Sequence, residues 1–182
     1  IAEESAVSGP ESPYCWYIDP LDGTTNFAHG FPHFAVSIAL VHESQRLVGV
    51  VYDPLREETF CASHDNGATL NGSPMQVSPA VTLEQALVLT GFPYDRRKRS
   101  EFYLRFYQAF MMRTQGVRRV GSAALDLCYV ACGRADAFWE WRLYPWDTAA
   151  RSLIVKEAGG KMSNFSDEPF DITGEQTLAS NG

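Results

Sequence analysis

The 182-residue sequence predicts a mixed, layered α+β fold, and three observations carry that prediction. Hydrophobic residues make up 45% of the chain, which is ample for a buried core. Residues 34–77 read as consecutive strands punctuated by Asn-Gly turns. After Pro79 strand-like and helix-like segments alternate, a texture that requires helices packed on a sheet. The change near Ser78–Thr82 divides the chain into residues 1–78 and 79–182.

Taken in order, Phe34–Val41, Leu47–Tyr52 and Glu58–Ala62 are rich in Val, Ile, Phe and Thr and form an antiparallel meander. Asn66-Gly67 and Asn71-Gly72 supply the positive φ that tight hairpins need. In the second part, strands are expected at Ala86–Thr90, Val117–Val120 and Ala135–Trp139. Helices are expected at Ser100–Arg113, Ser122–Cys132 and Asp147–Ala158, the last two closed by Gly133 and Gly159-Gly160. Phe102, Phe106 and Phe110 recur every four residues and mark the core-facing stripe of the first helix.

Charge excludes some functions. Lys and Arg total 15 against 22 Asp and Glu, a formal net charge of −7, so a general nucleic-acid binder with a phosphate-neutralising face is not expected. The longest apolar runs, such as Phe34–Val41, fall far short of the roughly 20 residues that cross a bilayer. The four cysteines, Cys15, Cys61, Cys128 and Cys132, lack zinc-site spacing and read as reduced, buried thiols of a reducing cytosol or plastid-like compartment. His29, His33, His42 and His64 show no ligand spacing and read as surface or structural residues.

The most informative stretch is Trp16-Tyr-Ile-Asp-Pro-Leu-Asp-Gly-Thr-Thr-Asn-Phe27. An apolar strand delivers Asp19 at its end, Pro20 stops the ladder, and Asp22-Gly23 turns the chain sharply. Two carboxylates three residues apart can then converge, and the carbonyl of Leu21 is exposed by the same turn. Oxygen ligands of this kind suit a hard divalent cation such as Mg²⁺. Gly23, Thr24 and Thr25 would present N–H groups and hydroxyls to an anion beside it. The same Pro-x-Asp-Gly pattern is also an ordinary turn, so further acids are needed. Asp147 precedes an apolar-periodic helix and reads by itself as an N-cap, a role compatible with metal ligation because a carboxylate has spare lone pairs. Glu3 and Glu4 are by default solvated. Glu140, closing the aromatic run Phe138-Trp139-Glu140-Trp141, must be paired or must meet a polar ligand.

The strings IAEES, WYIDPLDGTTNF, GSAALDLCYVACGRADAFWE and PWDTAA, in this order and spacing, resemble the inositol monophosphatase family of Mg²⁺-dependent, lithium-sensitive sugar-phosphate phosphatases. The resemblance spans essentially the whole chain and implies an αβαβα sandwich whose N-terminal part precedes Ile1. It implies that Glu3, Asp19, the Leu21 carbonyl, Asp22 and Asp147 hold two or three Mg²⁺ ions, with Asp19 bridging. Asp19, Asp22 and Thr24 would carry catalysis, Thr24 orienting the attacking water. Gly23 and Thr25 would lie at the phosphate, and Ala123 and Glu140 at the hydroxyl-bearing ring. The implied activity is hydrolysis of a small polyol or sugar phosphate, myo-inositol monophosphate first, by a cytoplasmic homodimer. Histidinol phosphate, fructose bisphosphate and NADP phosphatases, or a silent ligand-binding member, are the alternatives. The clusters Arg96-Arg97-Lys98-Arg99 and Arg118-Arg119 would be solvated or would meet a second phosphate.

Three features depart from the family pattern. The family carries, upstream of its Gly-Glu-Glu motif, a lysine-bearing loop and an acid that partners the threonine in activating water, and both would precede Ile1. Ala2 stands where the family's Gly-Glu-Glu motif has glycine, and Arg151 stands where glycine usually ends the Trp-Asp motif. Arg151 is harmless if it faces away from the metals. If it faces them, it alters metal affinity.

Overall fold

The computed structural model describes residues 1–3 and 12–182. Glu4 therefore lies outside the described residues. Two sheets organise the molecule. The first is a six-stranded antiparallel meander in sequence order: β1 (Tyr14–Asp22), β2 (Ala35–His42), β3 (Gln45–Asp53), β4 (Glu58–Ser63), β5 (Ala68–Leu70) and β6 (Ser73–Pro74). The second has the order β10-β11-β9-β7-β8, with β7 (Leu87–Thr90), β8 (Gly116–Arg118), β9 (Ala137–Trp141), β10 (Lys161–Ser163) and β11 (Gln176–Ser180). In it β7 is parallel to both β8 and β9, whereas β11 is antiparallel to β9 and β10.

Of the helices, α1 (Thr24–Ala28) is one turn following β1, α2 (Ser100–Met111) packs outside the second sheet, and α3 (Ala123–Ala131) and α4 (Pro145–Glu157) lie between the sheets. The layers are thus sheet, helix pair, sheet, helix, which is the layered α+β arrangement expected. The main core joins α3 and α4 to both sheets through Val51, Phe60, Leu125, Leu127, Phe138 and Ile154. A second apolar cluster fills the space under α2. There Phe110 stacks on Trp139 at 4.2 Å and Phe106 meets Trp141 at 4.8 Å, so the aromatic stripe does face the core.

Elements match expectation to within a few residues, with instructive exceptions. Pro20 does not end β1. The strand runs on to Asp22 through a bulge, since Asp19 pairs with Ser37 while Asp22 pairs with Ala35. A bulge is one of the places in a sheet that tolerate proline, and the extra residue re-aims the side chains that follow. Strand β9 begins later than expected and extends to Trp141, so Glu140 lies within it opposite Thr177 rather than at its end. Strands β10 and β11 were not anticipated, because both are short and β11 is entered from a polar turn-rich segment. Of the four free cysteines only Cys128 is buried, since α3 is enclosed on all sides while Cys15 and Cys61 sit on sheet faces that retain some exposure. Asn71 and Gly72 both have positive φ, as the β5–β6 hairpin needs, whereas at the preceding turn the positive φ falls on Asp65 and Gly67.

Candidate metal and phosphate site

The bulge of β1 creates the site. Asp19 is 1% exposed, and its Oδ1 accepts the N–H of Leu21 at 3.1 Å, which leaves Oδ2 to face inward, where it meets Arg151. Gly23 follows at φ 88°, and a Cβ there would stand 2.9 Å from the carbonyl of His33, so the turn into α1 is open to glycine alone. The Thr24 hydroxyl donates to the Leu21 carbonyl at 3.0 Å, tying the first turn of α1 to the bulge. Thr24 and Thr25 are exposed at its mouth.

Asp22 is fixed from across the chain. Its Oδ2 accepts both the Ser122 hydroxyl and, at 3.0 Å, the N–H of Ala124, so it serves the N-terminus of α3. Helix N-termini favour an anion, and Asp22 thereby keeps Oδ1 for the interior of the site. Ser122 is the N-cap of α3 and Ala123 its first helical residue, between the two groups, Ser122 Oγ and Ala124 N–H, that donate to Asp22. Ser122 escaped the reading of the sequence because nothing local links it to an acid a hundred residues earlier.

Asp147 is not an N-cap. Pro145 opens α4 with Tyr144 as cap, and Asp147, one turn in, reaches back so that its Oδ2 accepts the N–H of Tyr144 at 2.7 Å. This is the reverse half of a capping box, favoured because proline already occupies the first helical position. The other oxygen remains available. Oxygen atoms of Asp19, Asp22 and Asp147 all lie within 4.8 Å of one another. Glu3 is exposed and stands outside this trio, but it hydrogen-bonds toward Asp19, and its N–H donates to the carbonyl of Ile18 at 3.2 Å.

Glu140 shares the inward face of β9 with Phe138, while Trp139 and Trp141 point to α2, as strand alternation requires. Its carboxylate lies over Gly91, where a Cβ would come within 2.1 Å of Oε2. Burial pushes the Glu140 carboxyl up to about 8, helped by Asp126, Asp147 and Asp22. Burial likewise raises Asp147 to about 6 against the pull of Arg151, and raises Asp19 despite the same guanidinium. An acidic cluster in this state calls for positive charge.

Part of that charge is already present. Arg151 is fully buried, with Nη2 3.1 Å from Asp19 Oδ2 and 3.4 Å from Asp22 Oδ1. It faces the carboxylates. Of the other basic residues, Arg119 is near enough to lower Glu140 and Asp126, whereas Arg96 and Arg97 line a separate 440 Å³ cleft with Phe92 and Tyr103. His33 is buried 3.5 Å from Asp126 and is structural, as expected.

The donor set is entirely oxygen: three converging carboxylates, of which Asp19 and Asp22 each keep an oxygen inward, and the carbonyl of Leu21 at the bulge. That chemistry fits a hard divalent cation such as Mg²⁺ and does not fit a soft one. The sequence model of the inositol monophosphatase family matches residues 1–182. The chain belongs to that family. It is 50% identical over 183 residues to an inositol-1-monophosphatase of Synechocystis sp., covering 100% of this chain and 64% of that protein. It is 51% identical over 161 residues to the Nus factor SuhB of Pseudomonas aeruginosa, covering 87% of this chain and 59% of the relative. Among solved structures, an inositol monophosphatase from Anabaena (Nostoc) sp. superposes with a TM-score of 0.95 at 45% identity, over 100% of this chain and 73% of that one. The chain thus spans less than two thirds of the length of these curated relatives. Among the described residues no helix is long and apolar enough to cross a membrane.

Proposed function

We propose that this chain carries the metal and substrate site of a Mg²⁺-dependent phosphatase acting on a small polyol or sugar phosphate, myo-inositol monophosphate first. The observation that carries the reading is the convergence of Asp19, Asp22 and Asp147 within 4.8 Å. Bound Mg²⁺ would supply charge neutralisation at the phosphoryl oxygens and acidify a water molecule. Asp19, Asp22, Asp147 and the Leu21 carbonyl would hold it, with Glu3 at the edge beside Asp19. Thr24 stands one hydrogen bond from Leu21, and its hydroxyl oxygen can accept a hydrogen bond from the attacking water, and so orient it, while it donates to that carbonyl. The N–H groups of Gly23 and Thr25, at the start of α1, would bind phosphate oxygens. Glu140 and Ala123 would meet the hydroxyls of the ring. The name of the Synechocystis relative supports inositol 1-phosphate within this class. Family resemblance adds a homodimer working in the cytoplasm or a plastid.

Phosphate release from inositol 1-phosphate by the full-length protein is expected to stop in excess chelator and return with Mg²⁺, with histidinol phosphate, fructose bisphosphate and NADP as the comparison panel. Turnover that persists in chelator would remove the metal site. A higher rate on one of the comparison substrates would reassign the substrate and leave the site intact.

Glu140 separates recognition from chemistry. Its position on β9 places it over Gly91, outside the trio of carboxylates that gather around the bulge. Leaving a buried hydrogen-bond partner unsatisfied costs about 1–3 kcal/mol, so Glu140→Gln, which changes the donors and acceptors offered to the ring hydroxyls, is expected to raise KM or reorder the polyol phosphates by roughly tenfold. Titration of Mg²⁺ should be little changed. Collapse of Mg²⁺ affinity with the substrate order preserved would make Glu140 a metal ligand.

A further inference from the structure

Arg151 lies on a helix with no solvent face at that point, since Thr148 to Val155 are all buried. The helix cannot withdraw either. A Cβ on Gly49 would sit 2.5 Å from the carbonyl of Ala150, so β3 and α4 are already in backbone contact next to Arg151. The side chain must therefore end inside the protein. It ends at Asp19 and Asp22, while its Nε and Nη1 find no hydrogen-bond partner among the described residues. A buried guanidinium left partly unsatisfied is tolerated only where its charge is needed.

We propose that Arg151 is a built-in cation of the carboxylate cradle, occupying by its guanidinium the position between Asp19 and Asp22 that a divalent ion would otherwise bridge. This inference rests on the reading of Asp19, Asp22 and Asp147 as a Mg²⁺ site. The trio carries three formal negative charges, and the guanidinium offsets one of them from between Asp19 and Asp22. Asp147 is the member of the trio without a contact to Arg151 within 4 Å among the described residues, so it meets an ion without competition from the guanidinium, while Asp19 and Asp22 share theirs with it. The chain consequently holds one ion fewer than a glycine at position 151 would permit. It also folds its cradle before any metal arrives, because the guanidinium already offsets the repulsion between Asp19 and Asp22.

The test is metal binding, independent of turnover. Mn²⁺ is titrated into the full-length protein, Arg151→Gly and Arg151→Lys, with free ion followed by electron paramagnetic resonance, and thermal midpoints are taken in chelator and in Mg²⁺. Arg151→Gly is expected to bind one more Mn²⁺ per chain and to bind the ion it shares with the parent at least about tenfold tighter, the scale on which groups around a metal change its affinity. Its midpoint should drop in chelator and recover in Mg²⁺, with a larger metal-induced rise than the parent shows. Arg151→Lys keeps the charge and should stay close to the parent. It also carries the comparison if the glycine variant fails to fold, because the parent and the lysine variant must then both bind a single ion. Equal stoichiometry and affinity in all three proteins, or more than one tight ion in the parent, would overturn the role of Arg151 while leaving the Mg²⁺ site standing. Absence of Mn²⁺ binding in all three would overturn both.

Discussion

Asp147→Asn is expected to lower kcat by on the order of a hundredfold or more without destabilising the fold, because charge held at the reacting phosphoryl group stabilises the transition state. The two effects separate for a local reason. Asp147 accepts the Tyr144 N–H through Oδ2, and the amide oxygen of asparagine can accept the same bond, so α4 keeps its first turn. What is lost is the charge on the oxygen that faces Asp19 and Asp22. Asp22→Asn makes a useful contrast. Its Oδ2 receives the Ser122 hydroxyl and the Ala124 N–H, and its Oδ1 lies 3.4 Å from Arg151. The groups that bond or pair with its two oxygens are donors, so one orientation of the new amide sets its NH₂ against α3 and the other sets it against the guanidinium. Asp22→Asn should lose activity to a similar degree and, in addition, about 1 kcal/mol of stability. Steady-state kinetics and thermal melts of the two variants check this. A fully active Asp147→Asn would reduce Asp147 to a helix-start residue.

Most of the fold was legible because its elements announce themselves locally. The meander has β-branched strands and Asn-Gly turns, and α2 has its four-residue aromatic repeat, so residue identity alone locates them. The candidate site was legible at Asp19, Leu21, Asp22 and Gly23 for the same reason: the chemistry sits in one short turn. What the sequence did not show depends on contacts between distant segments. Ser122 matters through Asp22, and the depth of Glu140 depends on Gly91 beneath it. Pro20 misled in the other direction, since a proline normally ends a ladder and here marks a bulge within one. Arg151 was the sharpest case. Its sequence position said that it departs from a glycine pattern, but its direction was decided by the burial of α4 on every side and by the closeness of Gly49 to Ala150. Neither feature can be read from residues 145–157 taken alone.

In the absence of metal the protein is expected to lose stability as pH rises from about 4 to about 8, opposite to the acid denaturation of a protein with salt-bridged surface carboxylates. The groups responsible are Glu140, raised to about 8, and Asp147 and Asp126, each raised to about 6, in all three cases by burial first. Each has a folded pKa above its unfolded value of 4.5 or 3.8. Between those values the folded state holds more protons than the unfolded chain, so the stability contribution is full at low pH and is lost as pH climbs through the folded pKa. The Glu140 part is lost last, toward pH 8. Because Asp126 and Asp147 both act on Glu140, these three acids influence one another's titration, and a combined loss on the order of a few kcal/mol is expected. Mg²⁺ binds the ionised carboxylates of the folded state only, so it should raise the thermal midpoint little near pH 5 and most near pH 8. Melting curves across that range, in chelator and in Mg²⁺, read the effect directly. A midpoint in chelator that stays level from pH 5 to pH 8 would mean that Arg151 and Arg119 already compensate the ionised cluster, and that the metal is not needed to keep these acids charged.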